Sequence, residues 1–219
     1  MNFHIITLFP KSFDSYLGES IIKRAIEDKK IAVTFYDPKD FEPKGSTKRA
    51  DDKPYGGGPG RVMRAEPIIR AIEKALQSGK KSAGKNLAKP KIIFLSPSGR
   101  QFTNGVAAQF SKKLTDIIII CGRYEGVDAR VRKIFRAEEI SVGPFVLTGG
   151  ELPAMVMLDA VARQVPEVLG NAQSIEESRA ASSDVYTRPE KLVYKGKKYN
   201  VPKVLLSGDH KRIEVWRRG

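Results

Sequence analysis

Continuous apolar runs alternate with amphipathic segments along the first 165 residues of the chain. The apolar runs predict buried strands at residues 3–9, 31–36, 92–95 and 117–121, and from residue 140 onward. The amphipathic segments predict helices at residues 13–25, 67–79, 103–114, 127–135 and 151–165. Ser12 is the expected cap of the first helix, and Gly79 the expected end of the second. Strands that alternate with helices predict an α/β fold with a mostly parallel sheet.

The helix predicted at residues 151–165 is apolar on most of its sides, with Leu152, Met155, Val156 and Val161 among its residues. A helix of this kind is either fully buried or half of a contact between subunits.

Beyond this helix the composition changes, and the chain is expected to divide into two unequal domains. We predict a first domain at residues 1–165, a polar linker at 166–186 and a small, mainly helical, basic domain at 187–219. The last of these has a predicted strand near residues 201–206 and a predicted helix near residues 211–216. Ten Lys and Arg against three Asp and Glu between Arg188 and Gly219 give it half of the net charge.

The whole chain carries 39 Lys and Arg against 25 Asp and Glu, a net charge of +14. An excess of this size attracts polyanions and favours a nucleic-acid partner, although a well-solvated basic surface gives the same composition. The single Cys121 follows four isoleucines and is expected to be a buried thiol. No apolar stretch approaches the length of a membrane span, so we expect a cytoplasmic protein with no membrane partner.

Three loops rich in glycine or small residues each follow a predicted strand, at residues 96–100, 122–126 and 142–150. The last loop is interrupted at Gly143-Pro144 and again at Gly149-Gly150, with a resumed strand expected at residues 145–147 between the breaks. Loops at the carboxyl ends of parallel strands converge, and glycine lets the backbone approach a flat ligand closely.

Several other site types are excluded or unsupported. The chain has no G-x-x-x-x-G-K-[ST] phosphate loop and no G-x-G-x-x-G dinucleotide motif. With only His4 and His210 and one cysteine, a zinc site is not expected. A Ser–His–acid triad is not excluded by counting, but no nucleophile elbow is present.

Six motifs occur in a fixed order: D-D-K-P-Y-G-G-G-P-G, L-S-P-S-G-R, C-G-R-Y-E-G, L-T-G-G-E-L-P-A-M, Y-T-R-P-E and L-L-S-G-D-H. Together they resemble the bacterial tRNA (guanine-N1) methyltransferase family of the SPOUT superfamily over nearly the whole chain. The resemblance implies an α/β domain tied in a deep trefoil knot that binds S-adenosylmethionine. It also implies a homodimer with shared active sites that methylates the guanosine immediately 3′ of the tRNA anticodon, with residues 187–219 as the RNA-binding domain.

The resemblance also implies the residues of the site. The cofactor is expected to contact Ser96, Pro97, Gly99, Gly122, Tyr124, Val142, Gly143, Pro144, Phe145, Val146, Leu147, Gly149, Gly150 and Pro153. Gly56, Gly57 and Gly58 are expected to approach the guanine, and Asp209 to contact RNA or the partner subunit.

Methylation of guanine N1 requires removal of its proton and stabilisation of the negative charge that develops on O6. The resemblance assigns the second role to Arg163 and the first to an acid of the linker. We assign that acid to Glu177, with Glu176 as its competitor, although both are otherwise typical of solvated linker charges. Glu125 is expected near the target base, where it is also the candidate ligand for Mg²⁺.

The chain departs from the family pattern at two of these positions, and two other functions stay open. Pro144 replaces a common acid, and Asp209 replaces a common Asn. The first alternative is another knotted methyltransferase that modifies a ribose 2′-OH, against which the glycine loop at residues 56–58 argues. The second is a non-catalytic RNA-binding relative, against which the intact cofactor loops argue.

Overall fold

The computed structural model describes residues 1–43, 45, 49–82, 89–170 and 184–218. The chain forms two compact units, Met1–Leu169 and Gly170–Gly219. Within the described residues, no helix has both the length and the apolar composition that crossing a membrane requires.

A parallel sheet lies at the centre of the first unit. The strands of this unit are, in chain order, β1 (Asn2–Ile6), β2 (Ala32–Tyr36), β3 (Asp51–Asp52), β4 (Val62–Met63), β5 (Lys91–Gln101), β6 (Asp116–Ile120) and β7 (Glu138–Ser141). The central sheet has the order β2-β1-β6-β5-β7 and its neighbouring strands are parallel, whereas β3 and β4 form a separate antiparallel pair. The predicted α/β fold with a mostly parallel sheet is confirmed.

Helices cover both faces of this sheet. They are α1 (Asp14–Leu17), α2 (Ser20–Glu27), α3 (Ala65–Ser82), α4 (Asn104–Lys113), α5 (Ala129–Phe135) and α6 (Glu151–Ala162), with short 3₁₀ turns at Pro10–Phe13 and Pro38–Phe41. Successive residues of a strand point to opposite faces, so the isoleucine run of β6 fills two cores. Ile117 and Ile119 pack with α2, α4 and α6, whereas Ile118 and Ile120 pack with α3 and α5.

Side-chain caps fix the start of two of these helices. The Thr103 hydroxyl accepts a hydrogen bond from the Val106 amide at 3.4 Å, and the Asp128 carboxylate accepts one from the Arg130 amide at 2.9 Å. Both caps satisfy amides that have no partner inside the helix.

Two predictions about helix ends were wrong. The first predicted helix is interrupted at Gly18 and divides into α1 and α2, and Ser12 lies inside a 3₁₀ turn rather than at a cap. Helix α3 continues through Gly79 to Ser82. A Cβ atom at Gly79 would lie 3.3 Å from the Asp116 carboxylate, so this glycine serves the close approach of α3 to β6.

Two further predictions about strands differ from the structure. Residues 145–147 do not form the resumed strand: Phe145 lies in a bend, Val146 and Leu147 have no regular structure, and none of the three pairs with a described strand. The pair β3–β4 was not predicted, since each of its strands is only two residues long.

The second unit contains a β-hairpin and two helices: β8 (Lys191–Tyr194), β9 (Lys197–Asn200), α7 (Lys203–Leu206) and α8 (His210–Arg218). The strand predicted near residues 201–206 was wrong, because Pro202 caps the short helix α7. The helix predicted at residues 211–216 is confirmed as part of α8. The rings of Tyr186 and Trp216 pack against each other with centroids 6.2 Å apart.

Candidate active site

An outward loop within β5 and the loops that follow β6 and β7 line a cavity of about 450 Å³. It lies at the carboxyl ends of these strands, where parallel sheets of this kind bind ligands. Twelve of the fourteen predicted cofactor residues line it: Ser96, Pro97, Gly122, Tyr124, Val142, Gly143, Phe145, Val146, Leu147, Gly149, Gly150 and Pro153.

The first wall of the cavity is an outward loop within β5. Leu95 and Arg100 both pair with Ile140 of β7, so the residues between them leave the ladder. Ser96 and Pro97 of this loop line the cavity, and the hydroxyls of Ser96 and Ser98 lie 2.9 Å apart. Gly99 does not line it. A Cβ atom there would lie 2.6 Å from backbone atoms of β7, so Gly99 lets the two strands pack closely.

The second wall is the segment after β6, which contains Gly122 and Tyr124. Tyr124 has a φ of 60°, a conformation that is strained for a large side chain, and its ring is 55% exposed. Strained residues of this kind concentrate at binding sites, where the surrounding structure holds them in place.

The third wall follows β7 and begins with a buried serine. The Ser141 hydroxyl donates to the carbonyl of Gly143 at 2.9 Å and accepts from its amide at 3.2 Å, which fixes the turn. The Phe145 ring packs on the Gly143 α-carbon where a side chain would otherwise lie. Pro144 is not among the lining residues, so its difference from the family pattern does not fall on the cavity wall.

The second and third walls cross each other at backbone distance. The amide of Gly150 donates to the carbonyl of Gly122 at 2.9 Å. A Cβ atom at Gly150 would lie 2.6 Å from the Cα atom of Cys121, closer than two carbon atoms can approach. Glycine is therefore required at this crossing. Burial raises the pKa of the Cys121 thiol well above its usual value, as expected for a structural residue rather than a nucleophile.

A buried carboxylate at the start of α6 ties three elements together under the cavity. Glu151 is 3% exposed and accepts a hydrogen bond from the Thr7 hydroxyl at 2.7 Å. Its other oxygen lies 2.8 Å from Nε of Arg123, but this N–H is not aligned for a hydrogen bond, so the contact is an ion pair by distance only. Arg123 also donates to the carbonyl of Thr148 at 3.2 Å and lies over the Phe9 ring.

The glycine-rich loop between β3 and β4 is joined to the rim of this cavity. The amide of Met63 donates to the carbonyl of Gly126 at 2.9 Å, and the amide of Glu125 donates to the carbonyl of Arg61 at 2.9 Å. The Glu125 side chain packs directly on the α-carbon of Gly60. Asp51 forms an ion pair with Arg61 at the base of the loop.

Gly56, Gly57 and Gly58 lie at the tip of this loop with φ angles of 86°, 79° and 113°. Nothing lies within 4 Å of a Cβ atom built at any of them, so the left-handed backbone, not crowding, favours glycine here. The neighbouring Tyr55 is fully exposed. The three predicted guanine contacts therefore form one open loop beside the cavity.

Of the other predicted site residues in the first unit, Glu125 lines the cavity and Arg163 does not. Arg163 follows the last residue of α6, ten residues beyond Pro153, a rise of about 15 Å along a helix. Glu176 and Glu177 lie outside the described residues. Asp209 caps α8, where its carboxylate accepts from the amides of Lys211 and Arg212 at 3.1 and 3.2 Å. Either Asn or Asp can provide such a cap.

Among the described residues, no group of three or more His, Cys, Asp or Glu side chains is arranged to hold a metal ion. Mg²⁺ commonly keeps several waters and takes only one or two carboxylates, so Glu125 alone does not form a protein cage. Its role as a metal ligand stays a prediction.

The sequence did not single out three residues that shape the site: Thr7, Arg123 and Glu151. Arg123 and Glu151 lie inside the motifs C-G-R-Y-E-G and L-T-G-G-E-L-P-A-M, and a glutamate at the start of a mostly apolar helix was a signal that could have found it. Ser141 was also missed, although a serine two residues before Gly143-Pro144 is compatible with a turn.

A cavity lined by three loops of a parallel sheet, with a glycine-rich loop hydrogen-bonded to its rim, is typical of α/β proteins with a small-molecule site at the carboxyl ends of their strands. The family model for tRNA (guanine-1)-methyltransferase TrmD matches residues 1–219. The chain belongs to this family.

Individual relatives agree over the full length. The chain is 43% identical to the tRNA (guanine-N(1)-)-methyltransferase of Clostridioides difficile, covering 100% of this chain and 91% of that protein. The enzyme of the same name from Dechloromonas aromatica is 45% identical over 99% of this chain and 84% of its own length.

Among solved structures, the crystal structure of tRNA (m1G37) methyltransferase from Aquifex aeolicus matches with a TM-score of 0.78 and 39% identity. It covers 100% of this chain and 88% of that one. The family and the α/β fold predicted from the six motifs are therefore confirmed.

Proposed function

We propose that this chain transfers a methyl group from S-adenosylmethionine to N1 of the guanosine immediately 3′ of the tRNA anticodon. The observation that carries this proposal is the cavity lined by residues 96–97, 122–127, 140–143 and 145–150. The loop that contains the glycines 56–58 is hydrogen-bonded to its rim through Arg61 and Met63. One part of the site suits the donor and the adjacent part suits a flat base.

The cavity fits S-adenosylmethionine in size and in chemistry. A volume of about 450 Å³ lies within the range of small-molecule pockets. Gly122, Gly143, Gly149 and Gly150 line the cavity, and the last three let Phe145, Arg123 and the Cys121 backbone pack closely behind its walls. Leu95, Ile140 and Phe145 provide apolar surface. When bound, the donor supplies a methyl group on a positively charged sulfur. The walls hold and orient it, which is the main contribution to an in-line displacement.

The chain's own residues must then activate the base. Guanine N1 carries a proton at neutral pH, and we assign its removal to Glu177, with Glu176 as the competitor. We assign the stabilisation of negative charge on O6 to Arg163. A positioned base contributes about 10²–10⁴ in rate, and a fixed cation adds electrostatic stabilisation.

The position of Arg163 favours a homodimer with shared active sites. Leu152, Val156 and Arg163 recur at helical spacing along α6, and the first two are 57% and 51% exposed. An apolar stripe of this kind is typical of a subunit contact. Two copies packed antiparallel along this stripe would bring Arg163 of one close to the cavity of the other.

The experiment that tests this function is methyl transfer from labelled S-adenosylmethionine to two tRNA transcripts that differ only in the base 3′ of the anticodon. We expect labelling of the transcript with G and none of the transcript with A. Equal labelling of both contradicts the guanine assignment and favours a ribose methyltransferase. Absence of label in both favours the non-catalytic RNA-binding alternative.

We further propose a cytoplasmic location, because the tRNA substrate is made there and the buried Cys121 thiol has no partner that would require an oxidising compartment. The deep trefoil knot, the domain limits and the part played by Mg²⁺ stay predictions.

A further inference from the structure

The hairpin β8–β9 carries its tyrosines on one face. In its register Leu192 lies opposite Tyr199, and Tyr194 lies opposite Lys197. Residues directly opposite each other in an antiparallel pair point to the same side of the sheet. These four residues therefore share one face, called here the tyrosine face. Val193 and Lys198 lie on the other face.

The turn fixes which residues form this face. Lys195 and Gly196 are the two loop residues, and their φ angles of 49° and 75° are those of a type I′ turn. This turn sets the register of the strands, and a slip by one residue would move every tyrosine to the opposite side. The tyrosine face is thus a defined surface.

The tyrosine face is open to solvent. Leu192, Tyr194 and Tyr199 are 56%, 59% and 47% exposed. Single exposed apolar residues are ordinary, but adjacent ones on one face mark an interaction surface.

The charges around the tyrosines indicate what this surface binds. Residues 191–200 contain four lysines and no Asp or Glu. The ammonium groups of Lys195 and Lys197 lie 5.5 Å from the ring centroids of Tyr194 and Tyr199 respectively. Exposed aromatic rings flanked by cations match a partner that combines flat rings with negative charge. That combination is typical of RNA with unpaired bases.

We propose that the tyrosine face binds an unpaired stretch of the RNA substrate, with bases stacked on Tyr194 and Tyr199 and phosphates near Lys195 and Lys197. Paired stems are excluded as the main ligand, because an A-form helix keeps its bases stacked inside. This proposal rests on the proposed RNA substrate and adds the surface and the mode of contact.

The test measures binding of the full chain to a fluorescent oligonucleotide, either unpaired or annealed to its complement. We expect the unpaired strand to bind more tightly than the duplex. Tyr194→Ala and Tyr199→Ala should each weaken binding of the unpaired strand about tenfold, the usual size of one lost stacking contact. Tyr194→Phe and Tyr199→Phe, which keep the ring, should bind as the parent does. Val193→Ala on the other face is the matched control and should change nothing.

Salt dependence separates stacking from charge. Lys197→Gln should reduce the slope of log affinity against log salt by about 0.7, the value for one phosphate contact on a single strand. Tyr199→Ala should leave this slope unchanged. Lys198→Gln, its neighbour on the other face, should have a smaller effect than Lys197→Gln.

Three results would overturn the proposal. One is normal RNA binding by both alanine variants, and another is equal loss of affinity in the phenylalanine and alanine variants. The third is a change in molecular mass by sedimentation without a change in RNA affinity, which would make a second copy of the chain the occupant. Tyrosine-dependent binding without methyl transfer would instead contradict only the proposed function, so the two failures can be told apart.

Discussion

The two ends of the parallel sheet are built on opposite principles. Near the amino ends of the strands, the Asp116 carboxylate accepts a hydrogen bond from the side-chain amide of Asn2 at 3.0 Å. It accepts another from Nε2 of His4 at 3.1 Å. The other His4 nitrogen lies 3.1 Å from the Tyr36 hydroxyl. At the carboxyl ends, the strands run into glycine-rich loops around an open cavity. Side chains satisfy one another at the first end, whereas the second end presents backbone to a ligand.

The difference shows how one set of strands can be both stable and functional. Buried polar groups that bond to each other hold the strands in register and leave nothing for a ligand. At the cavity end, Tyr124 instead has a strained backbone conformation. Arg123 and Glu151 form an ion pair there whose N–H is not aligned for a hydrogen bond. Changes at the cavity end should therefore alter binding and turnover, and changes at the other end should alter stability alone.

The largest effect is expected outside both ends, at the residues assigned to the chemistry. Arg163→Ala and Glu177→Gln should each lower turnover by about 100-fold or more, because each removes a group needed only when charge develops on the guanine. The affinity for S-adenosylmethionine, measured by calorimetry, should change little. A fully active Glu177→Gln enzyme would move the base to Glu176.

A mixing experiment adds a test of shared sites. Arg163→Ala and Gly150→Ala chains, assayed at a donor concentration too low for either to be active alone, should recover part of the activity when they are refolded together, since one mixed site then has an intact cavity and an intact Arg163. Mixtures that stay inactive would place Arg163 in the site of its own chain.

At the cavity end, Gly150→Ala should weaken donor binding about 10- to 100-fold. The added Cβ atom meets the backbone of Cys121 at 2.6 Å, and the two crossing loops must separate. Gly149→Ala should reduce donor affinity less, because its Cβ atom meets the side chain of Arg123, which can move. Gly105→Ala in α4, whose nearest neighbour would be 3.7 Å away, is the control that should bind normally. Equal affinities across the three variants would contradict a rigid crossing.

A smaller effect is expected for the carboxylate under the cavity. Glu151→Gln keeps the volume and removes the charge that faces Arg123, so the loop at Thr148 should be held less firmly and donor affinity should fall several-fold. If the two side chains act as a pair, the loss of donor binding free energy in the double variant Glu151→Gln with Arg123→Gln should be smaller than the sum of the losses in the two single variants. Additive losses in calorimetric binding would show that the ion pair does not position the loop.

The sequence predicted the elements that depend on local pattern and missed those that depend on distant contacts. The isoleucine run of β6 and the loops after the strands could be predicted, because an apolar run and a cluster of glycines are visible in consecutive residues of the sequence. The contact between Thr7 and Glu151 joins residues 144 positions apart, and no local signal indicates it. The resemblance assigns Gly99 and Pro144 to the cofactor, but neither residue lines the cavity. A glycine needed for close strand packing, such as Gly99, has the same sequence appearance as a glycine needed for a ligand.

The smallest functional effect, and the sharpest test of the comparison, is expected at the amino ends of the strands. Burial alone would raise the pKa of Asp116, but hydrogen bonds from His4 and Asn2 outweigh it and lower this pKa below its usual value of 3.8. A carboxylate with a lowered pKa contributes stability that is complete above its unfolded-state pKa and is lost as the pH falls through the folded-state pKa. Asp116→Asn should therefore lower the free energy of unfolding at pH 7 by about 1.5–3 kcal/mol, the range for a hydrogen bond to a charged group. The difference from the parent, followed by urea unfolding, should shrink below about pH 4. Donor affinity at pH 7 should stay unchanged, and a loss of affinity would mean that the two ends of the sheet are coupled rather than separate.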